Sequence, residues 1–242
     1  MPNHQQLDNI RHKDLRVLTV HQASFAENAS YGHVYLAEFR YVQGEYPIFF
    51  RKNAETAQFE AIALFGLAAE ENLYVEENGW NASYVPLTVQ RRPFLIGFQH
   101  DNQSDPKPVL YIDMDSPRIS QSAVEGEAVF LPQGGQTPYL QHINAILSSI
   151  HTGHIENKTF IDTLLQHDLI ESVAIKVELH DTSKLEFNNL YTINEEKLNA
   201  LSAETFFALH QQGYVNMIYM VIASMATLSR LIDLKNKRVK GL

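Results

Sequence analysis

Cysteine is absent from the 242-residue chain. That absence excludes disulfides, thiolate nucleophiles and thiolate metal centres together, and it suits a reducing cytoplasm. Positive charge is scarce: 19 Lys and Arg stand against 28 Asp and Glu, a formal net charge of −9. A general grip on DNA or RNA needs clustered cations, so nucleic acid is not an expected partner. The opening residues, "MPNHQQLDNIRHKDLRVL", lack an apolar run behind a basic head, and no secretory signal is expected. Both the G-x-S-x-G nucleophile elbow and the G-x-x-x-x-G-K phosphate loop are missing. No Ser-His-Asp set can therefore be assigned. Internal repeats and low-complexity tracts are missing too.

Apolar material is ample. A hydrophobic content of 45% supports a sizeable core. One run, "VNMIYMVIASMATLSRLI" (215–232), is a transmembrane suspect. Asn216, Ser224, Thr227, Ser229 and Arg230 interrupt it, and each would need a partner in lipid. The expectation is a helix apolar on most sides, enclosed in a soluble protein with no integral membrane span.

Strand signals dominate the first half. In "YPIFFRKNAETAQFEAIALFGL" two apolar segments flank a polar turn, 52–57, which predicts a hairpin. Pro47 suits the start of a strand or a sheet edge. A short helix is the alternative for "IALFGL". "RRPFLIGFQ" and "PVLYIDMD" form a second predicted pair, joined by the polar loop "HDNQSDPK". "YGHVYLAEFRYV" alternates imperfectly and is a further strand candidate.

The period changes after a connection of small residues at 120–137. Tyr139, Leu140, Ile143, Ile146, Leu147 and Ile150 form a helical stripe, capped by Thr137 with Pro138 in the first turn. A separate helix is predicted over 158–167, with Phe160, Ile161, Leu164 and Leu165 facing the core. "VAIKVELHDTSKLEFNNLYTI" (173–193) reads as a hairpin turning at 181–184. Asn194 before Glu195 and Glu196 starts a helix well, and Ser202 can cap another that ends near Gly213. The expected fold class is α+β. A strand-rich N-terminal half (1–119) packs against a helical half (137–235) that contains the hairpin, as one domain over 1–242.

Two groups of side chains carry candidate chemistry. Asp113 and Asp115 end the run "VLYIDMD". On an extended strand, residues i and i+2 share a face, so both carboxylates could meet one magnesium or manganese ion. Glycosyl or phosphoryl transfer or hydrolysis would follow from such a site. The competing reading is local: "DSP" is turn chemistry, with Arg118 pairing either acid. The second group is Trp80, the only tryptophan, with Tyr84, Arg91 and Arg92. An aromatic face beside a guanidinium can hold a sugar ring or an anionic group, although such residues also fill cores and pair with acids. His151 and His154 share a helix face at a spacing of three, but no third ligand for a closed zinc site is recognisable. The basic end "KNKRVKGL" is expected to be solvated. Ala223, Ser224 and Ala226 allow close helix contact, within the chain or in a homodimer.

The order of segments is also informative. "YPIFFRKNAETAQFEAIALFGLAAEENLYV", "GWNASYVPLTVQRRPFLIGF", "VLYIDMDSPRIS", "TPYLQHINAI", "IKVELHDTSKLEFNNLYTINEEKLNALS" and "ALHQQGYVNMIYMVIASMATLSRL" together resemble the SapC family of bacterial proteins. The resemblance covers nearly the whole chain. It implies a link to surface-layer gene clusters and to carbohydrate-uptake genes, and it supplies no catalytic residues. A multi-span peptide-transport permease shares the family's name, and this chain lacks its spans. The expectation is a cytoplasmic, non-catalytic accessory protein without a cofactor, which binds a protein partner or a glycan-related ligand. Trp80, Tyr84, Arg91, Arg92 and Arg118 are its expected contact residues. The alternative is a divalent-metal-dependent enzyme built on Asp113 and Asp115.

Overall fold

A computed structural model describes residues 3–25, 27–77, 79–99 and 107–240. The loop expected at 100–107 therefore lies outside the described residues except for Lys107, as do the last two residues of the basic end.

In chain order the first strands are β1 (His4–Gln6), β2 (Arg16–Val17), β3 (Tyr31–His33), β4 (Ile48–Lys52), β5 (Phe59–Leu64) and β6 (Val75–Glu76). They are followed by β7 (Gly79–Trp80), β8 (Phe94–Gln99), β9 (Lys107–Asp113), β10 (Glu127–Ala128), β11 (Ile170–Glu178) and β12 (Lys184–Ile193). The helices are α1 (Phe39–Val42), α2 (Leu87–Gln90), α3 (Pro138–Gln166), α4 (Glu195–Asn199), α5 (Ala203–Gln211), α6 (Tyr214–Ser224) and α7 (Leu228–Val239). The fold is α+β, with a helical C-terminal region.

Two compact units divide the chain. The first gathers described residues from 1–27, 76–80 and 87–151, and the second those from 28–75, 81–86 and 152–242.

In the first unit, β1, β9 and β8 make an antiparallel sheet in that order, with Asp113 opposite His4 and Ile112 opposite Phe94. Phe94 and Ile112 are fully buried, so the end of β9 is anchored from its apolar side. The opening turns of α3 add Leu140, Ile143, Ile146, Leu147 and Ile150, all buried and one helical stripe apart. Thr137 caps that helix: its Oγ1 accepts from the Leu140 amide at 3.3 Å.

The second unit holds a five-stranded antiparallel sheet in the order β11-β12-β4-β5-β3. Pro47 precedes an internal strand rather than an edge, and "IALFGL" supplies β5 rather than a helix. The rest of α3 buries Phe160, Ile161 and Leu164, with Phe160 among the rings of Phe39, Phe50 and Tyr214 at 6.4, 6.4 and 5.1 Å. Asn194 and Ser202 cap α4 and α5 as their side-chain chemistry predicts, accepting from the amides of Lys197 and Thr205.

Three expectations need correction. The two helices predicted across 138–167 are one, because Gly153 continues α3 instead of ending it. A Cβ at Gly153 would lie 2.7 Å from the Tyr35 ring, so glycine is present for close approach. "YGHVYLAEFRYV" is a strand only over Tyr31–His33. Beyond it the Glu38 carboxylate accepts from the Tyr35 amide at 3.0 Å, which turns the chain into helix. Finally, the helical run Tyr214–Val239 is not enclosed. It is long and apolar enough to cross a membrane by length and composition, yet only 28% of its most apolar stretch is buried. Val215, Ile218, Val221 and Leu231 are covered, while Tyr219 is 49% exposed.

Candidate functional site

The apolar run into Asp113 ends where the first unit's sheet ends. Asp113 is the last residue of β9, and Met114 and Asp115 already lie in a turn. The two carboxylates therefore do not share one extended strand face. Asp113 Oδ1 accepts from the Asp115 amide at 3.1 Å, and Asp115 Oδ2 accepts from the Asn3 amide at 3.2 Å. Each acid spends one oxygen on backbone. The turn reading thus accounts for half of the carboxylate oxygens.

Arg118 does not pair with either acid. It is buried, and its Nη2 donates to Glu27 Oε1 while Nη1 donates to the Leu18 carbonyl at 3.0 Å. Its guanidinium also lies 5.2 Å from the centre of the Phe25 ring. Burial by itself would raise the Glu27 carboxyl. The hydrogen bonds and charges of His21 and Arg118 outweigh that and hold it below its ordinary value. His21 completes the cluster, with Nδ1 at 2.6 Å from Arg118 Nη2 and 3.2 Å from Glu27 Oε2. One ring nitrogen cannot accept and donate at once. A proton on Nδ1 favours Glu27, and its absence favours Arg118.

Above this buried cluster lies a hollow of about 350 Å³. Arg91, Arg92, Arg118, Glu27, Asp113 and Asp115 all line it, so the acid pair meets the two arginines of the second group there, while Trp80 and Tyr84 do not line it. Arg91 donates through Nη1 to the Phe94 carbonyl at 2.6 Å. Arg92 differs: among the described residues its guanidinium has no hydrogen-bond partner and no carboxylate within ion-pair distance. Burial pulls Arg92 below its ordinary value, the Glu27 charge opposes that, and Arg118 adds to it. Arginine nevertheless stays charged.

The aromatic candidates are divided. Trp80 belongs to the first unit, where its ring meets that of His21 edge-on at 5.7 Å. Tyr84 belongs to the second unit. Its hydroxyl donates to Glu38 Oε2 at 2.9 Å, and its ring stacks on Tyr41 at 5.3 Å. Burial, followed by the Glu38 charge, pushes the Tyr84 phenol well above its usual range. The two histidines also separate in role: His151 packs on Phe98 and His154 on Tyr35. Glu27 and His21 were missed in the sequence, because neither sits in a motif and their partner Arg118 is about ninety residues away.

No grouping of three or more His, Asp or Glu side chains suited to a metal ion occurs among the described residues. The acid pair would need further oxygen donors from water or substrate to hold an ion. No curated protein and no solved structure matches the chain. A family profile described as SapC matches residues 7–231, which takes in the whole of the five-stranded sheet and both β8 and β9. By that match, the chain belongs to the SapC family.

Proposed function

We propose that this SapC-family chain is a non-catalytic accessory protein of the cytoplasm, serving surface-layer or carbohydrate-linked physiology by binding an acidic sugar or a glycan that carries one. The observation that carries the proposal is Arg92. Its uncommitted guanidinium shares a hollow with Asp113 and Asp115, and each of these commits only one oxygen to a backbone amide. A planar guanidinium matches a carboxylate in bidentate geometry, and carboxylate oxygens accept from vicinal hydroxyls. Together these donors and acceptors suit a uronic-acid type of ring. Arg118 and Glu27 line the hollow as a buried ion pair, and Arg118 is fixed further by the Leu18 carbonyl.

Guanidiniums on the same wall also argue against a divalent cation, because they raise the cost of placing a second positive charge there. Titration with glucuronate, followed by calorimetry and by amide shifts near Asp113, tests the proposal. Saturable binding is expected, with glucose much weaker, and Arg92→Ala should lower affinity roughly tenfold or more. The competing reading is metal-dependent transfer or hydrolysis. It predicts thermal stabilisation by magnesium or manganese that Asp113→Asn and Asp115→Asn both abolish without unfolding the protein. That result would displace the binding-protein reading.

A further inference from the structure

We infer that the second unit holds a separate pocket for a small organic carboxylate with an apolar body. The pocket is a hollow of about 400 Å³, within the size range of small-molecule sites. His33, Lys52 and His154 supply polar wall, and Phe59, Ile161 and Leu165 supply apolar wall.

Its charge balance points to an anion. Glu60 is occupied on both oxygens: Oε1 accepts from Asn53 Nδ2 at 3.1 Å, and Oε2 lies 3.0 Å from His33 Nε2. Asp162 is paired with Lys158 at 2.6 Å. The Lys52 ammonium has no carboxylate within ion-pair distance among the described residues, and it lies 5.9 Å from the centre of the Phe59 ring. A cation on the same sheet face as Phe59, with the local acids already engaged, favours a carboxylate head. The neighbouring Phe59, Ile161 and Leu165 then cover the remainder of the ligand.

The wall is built rather than incidental. Asn157 is buried and clamps the segment before α1, donating to the Val34 carbonyl at 2.7 Å and accepting from the Leu36 amide at 3.0 Å. That clamp sets Tyr35, whose ring rests on Gly153 and whose hydroxyl lies 3.2 Å from His154 Nε2. Glu60, held by Asn53, does the same for His33. The His154 imidazole is thus oriented by a ring fixed elsewhere in the unit, which is the arrangement a binding site requires.

Hexanoate and its neutral counterpart hexanamide are suitable probes, followed by amide chemical shifts of the whole chain. Hexanoate is expected to bind saturably and to move the amides of Ala61 and Asn157, with hexanamide about tenfold weaker. Lys52→Met, a change at an exposed side chain that should leave folding intact, should weaken hexanoate about tenfold. Leu165→Trp, at a residue 41% exposed, should narrow the pocket and abolish the shifts. Equal binding of acid and amide, no effect of Lys52→Met, or no saturation at millimolar hexanoate would each overturn the inference. Glucuronate binding in the first unit does not bear on these outcomes, because the reporting amides lie in the second.

Discussion

Glu27 and Arg118 in the first unit and Lys158 and Asp162 in the second are both oppositely charged pairs. Their side chains are 2% and 4% exposed in the first pair, and 62% and 58% exposed in the second. The deep pair has surrendered its water, so its attraction is little screened and its loss is costly. The shallow pair loses little water and gains little. Around them the two units also differ in what fills the interior. The second unit buries Phe39, Tyr46, Phe49, Phe50, Phe65, Tyr74 and Phe160 almost completely. The first buries fewer rings and contains the buried pair Glu27 and Arg118. Aromatic packing tolerates changes of shape better than a buried charge tolerates loss of its partner.

The largest expected break in this comparison is Arg118→Ala. It leaves the Glu27 charge buried without its partner, and urea unfolding should show a loss of roughly 3–5 kcal/mol. Phe160→Ala is the matched insult to the second unit, with an expected loss of about 3–4 kcal/mol from transfer and cavity terms. If Arg118→Ala costs far less than Phe160→Ala, the buried ion pair is not what holds the first unit. Acid sharpens the contrast. The Glu27 carboxyl titrates below its ordinary value of 4.5, so its contribution is complete above that pH and is lost as pH falls through the folded value. Stability measured from neutral pH into this acid range should decline in the wild type, with a shallower decline in Glu27→Gln. The smallest effect belongs to Lys158→Ala. Its exposed pair spans one helical turn, and the change should stay within about 0.5 kcal/mol and shrink further in salt.

Local chemistry was well read from the residues. The hairpins at 48–64 and 170–193, and the caps at Thr137, Asn194 and Ser202, all depend on groups a few residues apart. The candidate site was legible in part: Arg91, Arg92, Asp113, Asp115 and Arg118 stood out by side-chain type and do line one hollow. Their partners were not legible. Arg118 faced two nearby acids in sequence and instead reaches Glu27, 91 residues away along the chain. Gly153 is a poor helix former inside α3, and a ring from a distant segment occupies the space where its Cβ would stand.

Composition and pattern by themselves determined the α+β class and the strand and helix periods, since each is written in residue type and short spacing. Only the tertiary structure decided which charges are buried, which carboxylate oxygens stay available and which apolar faces remain open. Those properties depend on desolvation, and desolvation is set by neighbours that the chain brings together from far apart.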